Sequence, residues 1–218
     1  MEAKKIEIKI FFLTLATLVL IETAAILSVS GIKVSPVVVT GVVRLIEIAL
    51  ILIIVLVWGK GLSSIGLVPS KMINGLIRGL WWSAGFGIIT FFAFIALFLV
   101  DINPLALIHT RLPAKGIEIV LFYLIAGIIG PVAEEIFFRG IIYGFFRRWG
   151  VLVALILSSV IFVLAHLTLS TIPIPQIVGG IIFAIAYEKE GSLIVPITIH
   201  ALGNMAIFTL SLIYYNNL

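Results

Sequence analysis

Residues 131–140 read PVAEEIFFRG, and this stretch decides how the rest of the chain is interpreted. The carboxylates of Glu134 and Glu135 and the guanidinium of Arg139 stand between two apolar runs, VLFYLIAGIIG before them and IIYGFF after them. Charged side chains within membrane-spanning helices are costly, and they usually face a bundle interior or an aqueous cavity. The stretch therefore suggests a polar site inside a membrane protein.

The composition of the whole chain is typical of an integral membrane protein. Of its 218 residues, 62% are hydrophobic and 11% are charged, and the mean hydropathy is +1.33. Soluble domains are only about half apolar and about a quarter charged. The net charge of +4 comes from scattered cations, so we expect the lipid bilayer as a partner and no nucleic acid. The absence of Cys excludes disulfides, thiol nucleophiles and thiolate metal ligands.

Seven apolar segments predict an all-α, polytopic transmembrane helix bundle with about seven to eight spans. A helix that crosses a bilayer needs about 20 largely apolar residues. The candidate spans are roughly 9–30, 38–58, 74–100, 117–147, 150–169, 174–188 and 191–215. The fourth segment would count as two spans if it were broken around Gly130 and Pro131. The first segment follows basic residues, as a cleaved signal peptide does, but its length favours an uncleaved span.

The basic residues between the spans predict the orientation of the chain. One side would carry Lys4, Lys5, Lys9, Lys60, Lys71, Arg78, Arg147 and Arg148. The other side would carry Lys33, Arg111 and Lys115. Because an excess of Lys and Arg marks the cytoplasmic side of a membrane, we expect a multi-pass protein with its N-terminus in the cytoplasm.

Three charges in the first half of the chain predict a structural contact and no chemistry. Arg44 and Glu47 lie three residues apart, so they share a helix face and can neutralise each other. Glu22 is either a protonated buried acid or a further partner for Arg44.

Polar residues in the second half fall at one depth of the predicted bundle. Glu134, His166, His200 and Asn204 lie nine to sixteen residues from the expected cytoplasmic ends of their spans. At 1.5 Å per residue, this distance is roughly 14–24 Å, which is near the bilayer centre. The third histidine, His109, lies in a polar loop, where we expect a solvated role. The sequence therefore allows these side chains to converge.

Helical spacing suggests roles for the side-chain carboxylates of Glu134 and Glu135 and for His166. Glu135 and Arg139 are four residues apart, which predicts an ion pair on one helix face. Glu134 is rotated from Glu135 by about 100° and has no partner within its own helix. An unpaired buried carboxylate is suited to act as a general base, and His166 could hold the same water molecule.

His200 and Asn204 are also four residues apart, so their N–H groups can point at one place. Such a pair of donors can stabilise an oxyanion. Together with Glu134 and His166, they would form a site that hydrolyses an amide. Spacing alone leaves a second interpretation open, in which the same residues form a polar network that joins three helices and performs no chemistry.

The stretches AEEIFFRG, FVLAH and HALGN resemble the signature motifs of the CPBP family, the CaaX-protease and bacteriocin-processing group that includes the Rce1-type prenyl endopeptidases. Its motifs EExxxR, FxxxH and HxxxN are matched by Glu134, Glu135, Arg139, Phe162, His166, His200 and Asn204. Three motifs in order are a specific signal. The resemblance covers about residues 117–210, which we interpret as the catalytic core of a single membrane domain over residues 1–218. Residues 1–116 would add N-terminal transmembrane helices.

The resemblance implies an intramembrane endopeptidase of the glutamate type. Its substrate would be a membrane-tethered protein or peptide, with prenylated CaaX-type proteins among the candidates. In that family the first Glu and the first His activate water, and the second His and the Asn form the oxyanion hole. Glu135, Arg139 and Phe162 would then be supporting residues. No oligomeric state is predicted.

We expect no cofactor, with zinc as the alternative. His166, His200 and a Glu are residue types that form catalytic zinc sites. However, the chain has no HExxH motif, and an oxyanion role for His200 competes with metal ligation.

Two other classes of function remain as alternatives. The first is a non-catalytic membrane protein of the same family, such as an immunity or scaffold protein. The second is a small transporter, which we rank last because transporters tend to carry polar, broken helices in both halves.

Overall fold

The protein is an all-α bundle, as predicted. The computed structural model describes residues 6–29, 34–108, 110–114, 116–167 and 173–216, and these ranges contain no strand. The long helices are α1 (Ile8–Val29), α2 (Pro36–Val57), α3 (Met72–Leu99), α4 (Gly116–Trp149), α5 (Val151–Ala165), α6 (Ile174–Glu190) and α7 (Ile194–Asn216). Short helical turns lie at Leu62–Ile65, Pro69–Lys71 and Pro104–Ile108.

All seven apolar segments are therefore helical, and five of the helices are long and apolar enough to cross a membrane. These five are α1, α2, α3, α4 and α7. α5 has 15 residues and α6 has 17. At 1.5 Å per residue, 15 residues extend only about 22 Å, which is less than the thickness of a hydrocarbon core. The chain is an integral, multi-pass membrane protein.

The fourth predicted span is one helix and does not split into two at Pro131. α4 continues through Pro131 because two π-helical stretches, Ile125–Ile129 and Ile136–Tyr143, flank the α-helical turn Gly130–Glu135. A π turn adds one residue to a helical turn, and such turns are frequent at functional sites. Pro131 falls in the first turn after the first π stretch.

Two glycines in left-handed or similar backbone conformations make the sharp turns that return the chain to the bundle. Gly150 (φ 112°) connects α4 to α5, and Gly191 (φ 59°) ends α6 with two residues between it and the start of α7. The Gly191 N–H donates to the Tyr187 carbonyl at 2.9 Å, which satisfies one of the free carbonyls at the end of α6. Glycine adopts these φ values without the steric penalty that other residues incur.

Three segments that were predicted to share one side lie at one end of the bundle, namely the start of α1, the turn after α2 and the end of α4. Glu7, just before α1, is 3.3 Å from Lys60. Arg148, at the end of α4, donates to the Ile6 carbonyl, and the Ile6 N–H donates to the Gly144 carbonyl at 2.9 Å. Lys4, Lys5, Lys33, Lys115 and the loop residue His109 lie outside the described residues.

α4, α6 and α7 pack closely against one another. Tyr143 of α4, Ala184 of α6 and Ile199 of α7 are all almost fully buried. α3 approaches α7 closely through Gly79, where a Cβ would lie only 2.6 Å from the Thr198 Cβ. Small residues allow helices to approach in this way within a membrane. These contacts fix α7 in place against its neighbours.

Candidate active site

Three helices bring the polar residues of the second half together. Glu134, Glu135 and Arg139 lie on α4, His166 directly follows α5, and His200 and Asn204 lie on α7. His166 was predicted inside the fifth span, but α5 ends at Ala165, so His166 is the residue that caps the helix C-terminus. The last turn of a helix has free carbonyls, and a side chain at this position can bond one of them.

Glu134 lies between the two imidazole rings. Its Oε2 is 3.4 Å from the Nε2 of His166 and 3.8 Å from the Nε2 of His200. Among the residues that the structure describes, this buried oxygen has no hydrogen-bond partner. The three side chains predicted to converge are thus adjacent, and the carboxylate oxygen between the rings is left available.

A backbone carbonyl orients the His166 ring. Its Nδ1 is 2.8 Å from the carbonyl oxygen of Phe162, which can only accept a hydrogen bond. Nδ1 therefore carries the hydrogen, and in the neutral ring Nε2 presents its lone pair toward Glu134. The Phe162 ring packs on the same imidazole with 4.5 Å between the ring centroids.

A carboxylate orients the His200 ring. Its Nδ1 lies 2.8 Å from Oε1 of Glu135. The same Oε1 accepts a hydrogen bond of 2.9 Å from Arg139, and both Glu135 and Arg139 are fully buried. The predicted pair of Glu135 and Arg139 is therefore confirmed. Because the carboxylate accepts, Nδ1 of His200 is the protonated nitrogen, and Nε2 can donate only when the ring is an imidazolium.

Glu135 has two partners in this cluster, since its Oε1 accepts from Arg139 and lies against Nδ1 of His200. Buried charges are tolerated when they are paired. The second carboxylate therefore holds His200 in one orientation and is itself neutralised by Arg139.

α6 also contributes to the site, which the sequence did not indicate. The Gly180 carbonyl accepts hydrogen bonds from Arg139 at 3.2 Å and from Ser159 of α5 at 2.9 Å. Phe183 stacks on His200 with 4.6 Å between the ring centroids and 22° between the planes. The Gly179–Gly180 doublet is the sequence feature that could have indicated a close helix contact here. In the structure, a Cβ at Gly180 would lie 3.3 Å from the Phe162 ring.

Phe162 has more contacts than its place in a motif suggested. Its side chain is only 1% exposed, and its ring lies 4.5 Å from the guanidinium carbon of Arg139. A guanidinium over an aromatic face is attracted by the ring quadrupole. Phe162 therefore supports both Arg139 and His166.

Asn204 makes a contact that its spacing from His200 did not predict. Its Nδ2 donates to the backbone carbonyl of Ala126 in α4 at 2.9 Å. An amide nitrogen has two hydrogens, so one is used here and one remains for another acceptor.

The charged residues of the first half form an ion-pair cluster between α1 and α2. Arg44 donates to Glu47, as predicted, and to Glu22 at 3.0 Å. Glu22 is therefore a partner of Arg44, which resolves the alternative left open by the sequence. Two carboxylates hold this guanidinium between α1 and α2, in keeping with a structural role.

In the part of the chain that the structure describes, no group of three or more His, Asp or Glu residues is arranged to hold a metal ion. The Nδ1 atoms of His166 and His200 are both engaged by oxygen acceptors. The Oε2 atom of Glu134 faces the Nε2 atoms of both rings. This geometry is suited to proton transfer with a water molecule.

Comparison with known proteins finds a family model that matches the part of the chain containing these residues. Residues 116–206 match the family described as type II CAAX prenyl endopeptidase Rce1-like. The membrane-embedded CAAX protease MroQ of Staphylococcus aureus is 39% identical over 98 residues, which cover 42% of this chain and 38% of that relative. Protein YxdF of Lactococcus lactis is 28% identical over 167 residues, covering 72% of this chain and 89% of that relative.

A third relative, YdiL of Bacillus subtilis, is 32% identical over 93 residues, which cover 42% of this chain and 38% of that protein. The chain thus matches well under half the length of two of these curated relatives. No solved structure matches it.

Proposed function

We propose that the chain is an intramembrane endopeptidase that hydrolyses a peptide bond in a membrane-tethered substrate, a proposal supported by the match of residues 116–206 to the Rce1-like family model. The observation that carries the proposal is the position of Glu134, whose free Oε2 lies within 4 Å of both His166 and His200. Ionisable groups inside a membrane are expected to be functional. The relatives named as proteases favour the same class of reaction.

Glu134 and His166 would activate the attacking water. Glu134 accepts the proton of the water, and the resulting hydroxide oxygen forms a bond to the carbonyl carbon of the substrate. His166, with its Nε2 lone pair facing Glu134, holds the water by accepting its other hydrogen. When the tetrahedral intermediate collapses, the C–N bond breaks and the proton passes from Glu134 to the departing amine.

His200 and Asn204 would stabilise the oxyanion. In the imidazolium form, His200 donates through Nε2 while Glu135 holds Nδ1 at 2.8 Å. Asn204 has one N–H left after its bond to Ala126. Fixed donors of this kind lower the barrier because they need no reorientation as charge develops on the carbonyl oxygen.

A membrane-tethered substrate follows from the surroundings of the site. Glu134 lies on a 34-residue apolar helix, 15 residues before its end at Trp149. A peptide reaches such a position when a lipid group or an apolar segment holds it in the bilayer. Prenylated CaaX-type proteins are one such class, and the name of the Staphylococcus aureus relative makes them the first class to test.

The reaction can be tested with purified protein in liposomes. A panel of C-terminal peptides, each with and without a prenyl group, is incubated with the protein and with the Glu134→Gln variant, and the products are identified by mass spectrometry. Cleavage of at least one tethered peptide by the unaltered protein alone supports the proposal. If every peptide in the panel stays intact, or if both proteins cleave equally, a non-catalytic membrane protein becomes the better account.

We further propose a mechanism without a metal, because the Nε2 atom of His200 is needed as a donor to the oxyanion and the chain has no HExxH motif. We expect activity to persist after extensive dialysis against a strong chelator, with no stoichiometric zinc found by elemental analysis. An activity that disappears on dialysis and returns only with added zinc would contradict this mechanism.

We also propose that the N-terminus faces the cytoplasm, since Lys9, Lys60, Arg147 and Arg148 belong to one end of the bundle. The chain has no Cys, so a single cysteine introduced at Lys60 can be labelled without background. We expect a membrane-impermeant maleimide to label Lys60→Cys in inverted vesicles and not in intact cells. The reverse pattern would contradict the orientation.

A further inference from the structure

Pro131 leaves a gap in the hydrogen bonding of α4, one turn before Glu134. Proline has no N–H, and its ring normally clashes with the carbonyl four residues earlier. α4 accommodates it with the π stretch Ile125–Ile129, in which the Gly130 N–H donates to the Ile125 carbonyl. A Cβ at Gly130 would lie 3.2 Å from that oxygen, so glycine suits this tight turn.

This pattern deprives the Ala126 carbonyl of its backbone donors. In an α-helix it would bond the N–H of Gly130, which bonds Ile125 instead. In a π turn it would bond the N–H of residue 131, which is a proline. A backbone carbonyl buried from water without a partner is costly, particularly inside a membrane.

Asn204 supplies the missing donor from the neighbouring helix. Its Nδ2 lies 2.9 Å from the Ala126 oxygen. α7 comes close enough because Gly127 faces it, where a Cβ would be 3.4 Å from the Met205 side chain. The side chain therefore completes the turn that the proline interrupts.

The π turn matters for the site because it sets the rotation of the residues that follow. One extra residue in a turn rotates the downstream helix by about 100° relative to the upstream helix. Glu134 follows the π stretch by five residues, and a rotation of that size would carry its carboxylate away from His166.

We propose that Asn204 is a positioning residue, whose amide holds the π turn before Pro131 and thereby aims Glu134 at His166. The inference rests on the proposed hydrolysis and deepens it, since Asn204 acts on the water-activating carboxylate through the backbone of α4 in addition to any bond it offers to an oxyanion.

The test is a double-mutant cycle, because Pro131→Ala restores an N–H that can replace the Asn204 amide. Asn204→Ala alone should lower kcat about a hundredfold at unchanged KM, the effect expected when a catalytic group is misplaced by about 1 Å. Adding Pro131→Ala should raise kcat of Asn204→Ala at least about tenfold, since residues in contact are coupled. A double variant no faster than Asn204→Ala would overturn the inference and leave Asn204 as an oxyanion donor only.

Thermal unfolding in detergent gives a second readout, which is independent of activity and decides the case if Pro131→Ala itself is inactive. Asn204→Ala should lower the unfolding midpoint at least about 2 °C more with Pro131 present than in the Pro131→Ala background. Equal shifts would overturn the inference. The control is Thr23→Ala, which removes an exposed hydroxyl on α1 bonded to the Val19 carbonyl and should show no coupling to Pro131. If no peptide is cleaved by the unaltered protein, the proposed hydrolysis fails while this cycle still tests the contact.

Discussion

Glu134→Gln is expected to reduce peptide cleavage by roughly 10²–10⁴-fold, the usual contribution of a general base. Glutamine has nearly the same shape and keeps an oxygen near His166 and His200, but its amide cannot accept the proton of water. The protein should still insert and unfold at a similar temperature, because the hydrogen bonds of Glu135, Arg139 and His200 do not involve Glu134. The measurement is the single-turnover rate of a tethered peptide in liposomes.

Glu118→Gln provides a matched control, since it is the same substitution in the first turn of α4. We expect this variant to cleave at the normal rate. Near-normal turnover by Glu134→Gln would remove the water-activating role, whereas equal losses in both variants would indicate a general effect of charge on α4.

Arg139→Ala is expected to prevent accumulation of folded protein. Arg139 is fully buried, and its removal would deprive Glu135 of the guanidinium that it pairs with inside the bundle. Breaking a buried ion pair from one side costs about 3–5 kcal/mol, and the contacts to the Gly180 carbonyl and the Phe162 ring would be lost as well. Yield after size-exclusion chromatography and the thermal unfolding midpoint measure the effect.

A double variant separates the lost charge balance from the lost packing. Glu135→Gln with Arg139→Met removes both charges while keeping side chains of similar length, and it should recover a large part of the stability. Arg139→Ala that folds normally but does not cleave would contradict the structural role and point to direct contact with the substrate.

Much of the fold follows from hydropathy, because each span must be apolar along its length. The seven helices appear where the apolar segments lie, and the pair of Glu135 and Arg139 follows from their spacing on a helix. Counting residues from the span ends predicted that Glu134, His166 and His200 lie at one depth, and the structure places them next to one another. Composition could not show that α4 stays continuous through Pro131, since a π turn has no simple residue pattern.

The parts of the site that the sequence did not indicate involve backbone carbonyls and ring faces. Gly180 orients Arg139 through its carbonyl, and Ala126 binds Asn204 in the same way. Every residue has a carbonyl, so its identity does not reveal which one will accept a side chain. The sequence placed His166 inside the fifth span, whereas it caps the end of α5. Helix ends are harder to locate from a sequence than the helices themselves. Phe183 is one apolar residue among many until the fold brings it against His200.

Cleavage in water enriched in ¹⁸O tests the central claim most directly, namely that Glu134 directs a water molecule onto a peptide carbonyl inside the bundle. A single turnover by the unaltered protein should place one ¹⁸O atom in the new carboxylate of the product, and Glu134→Gln should yield almost no labelled product in the same time. Labelled product formed by Glu134→Gln at the rate of the unaltered protein would contradict the account.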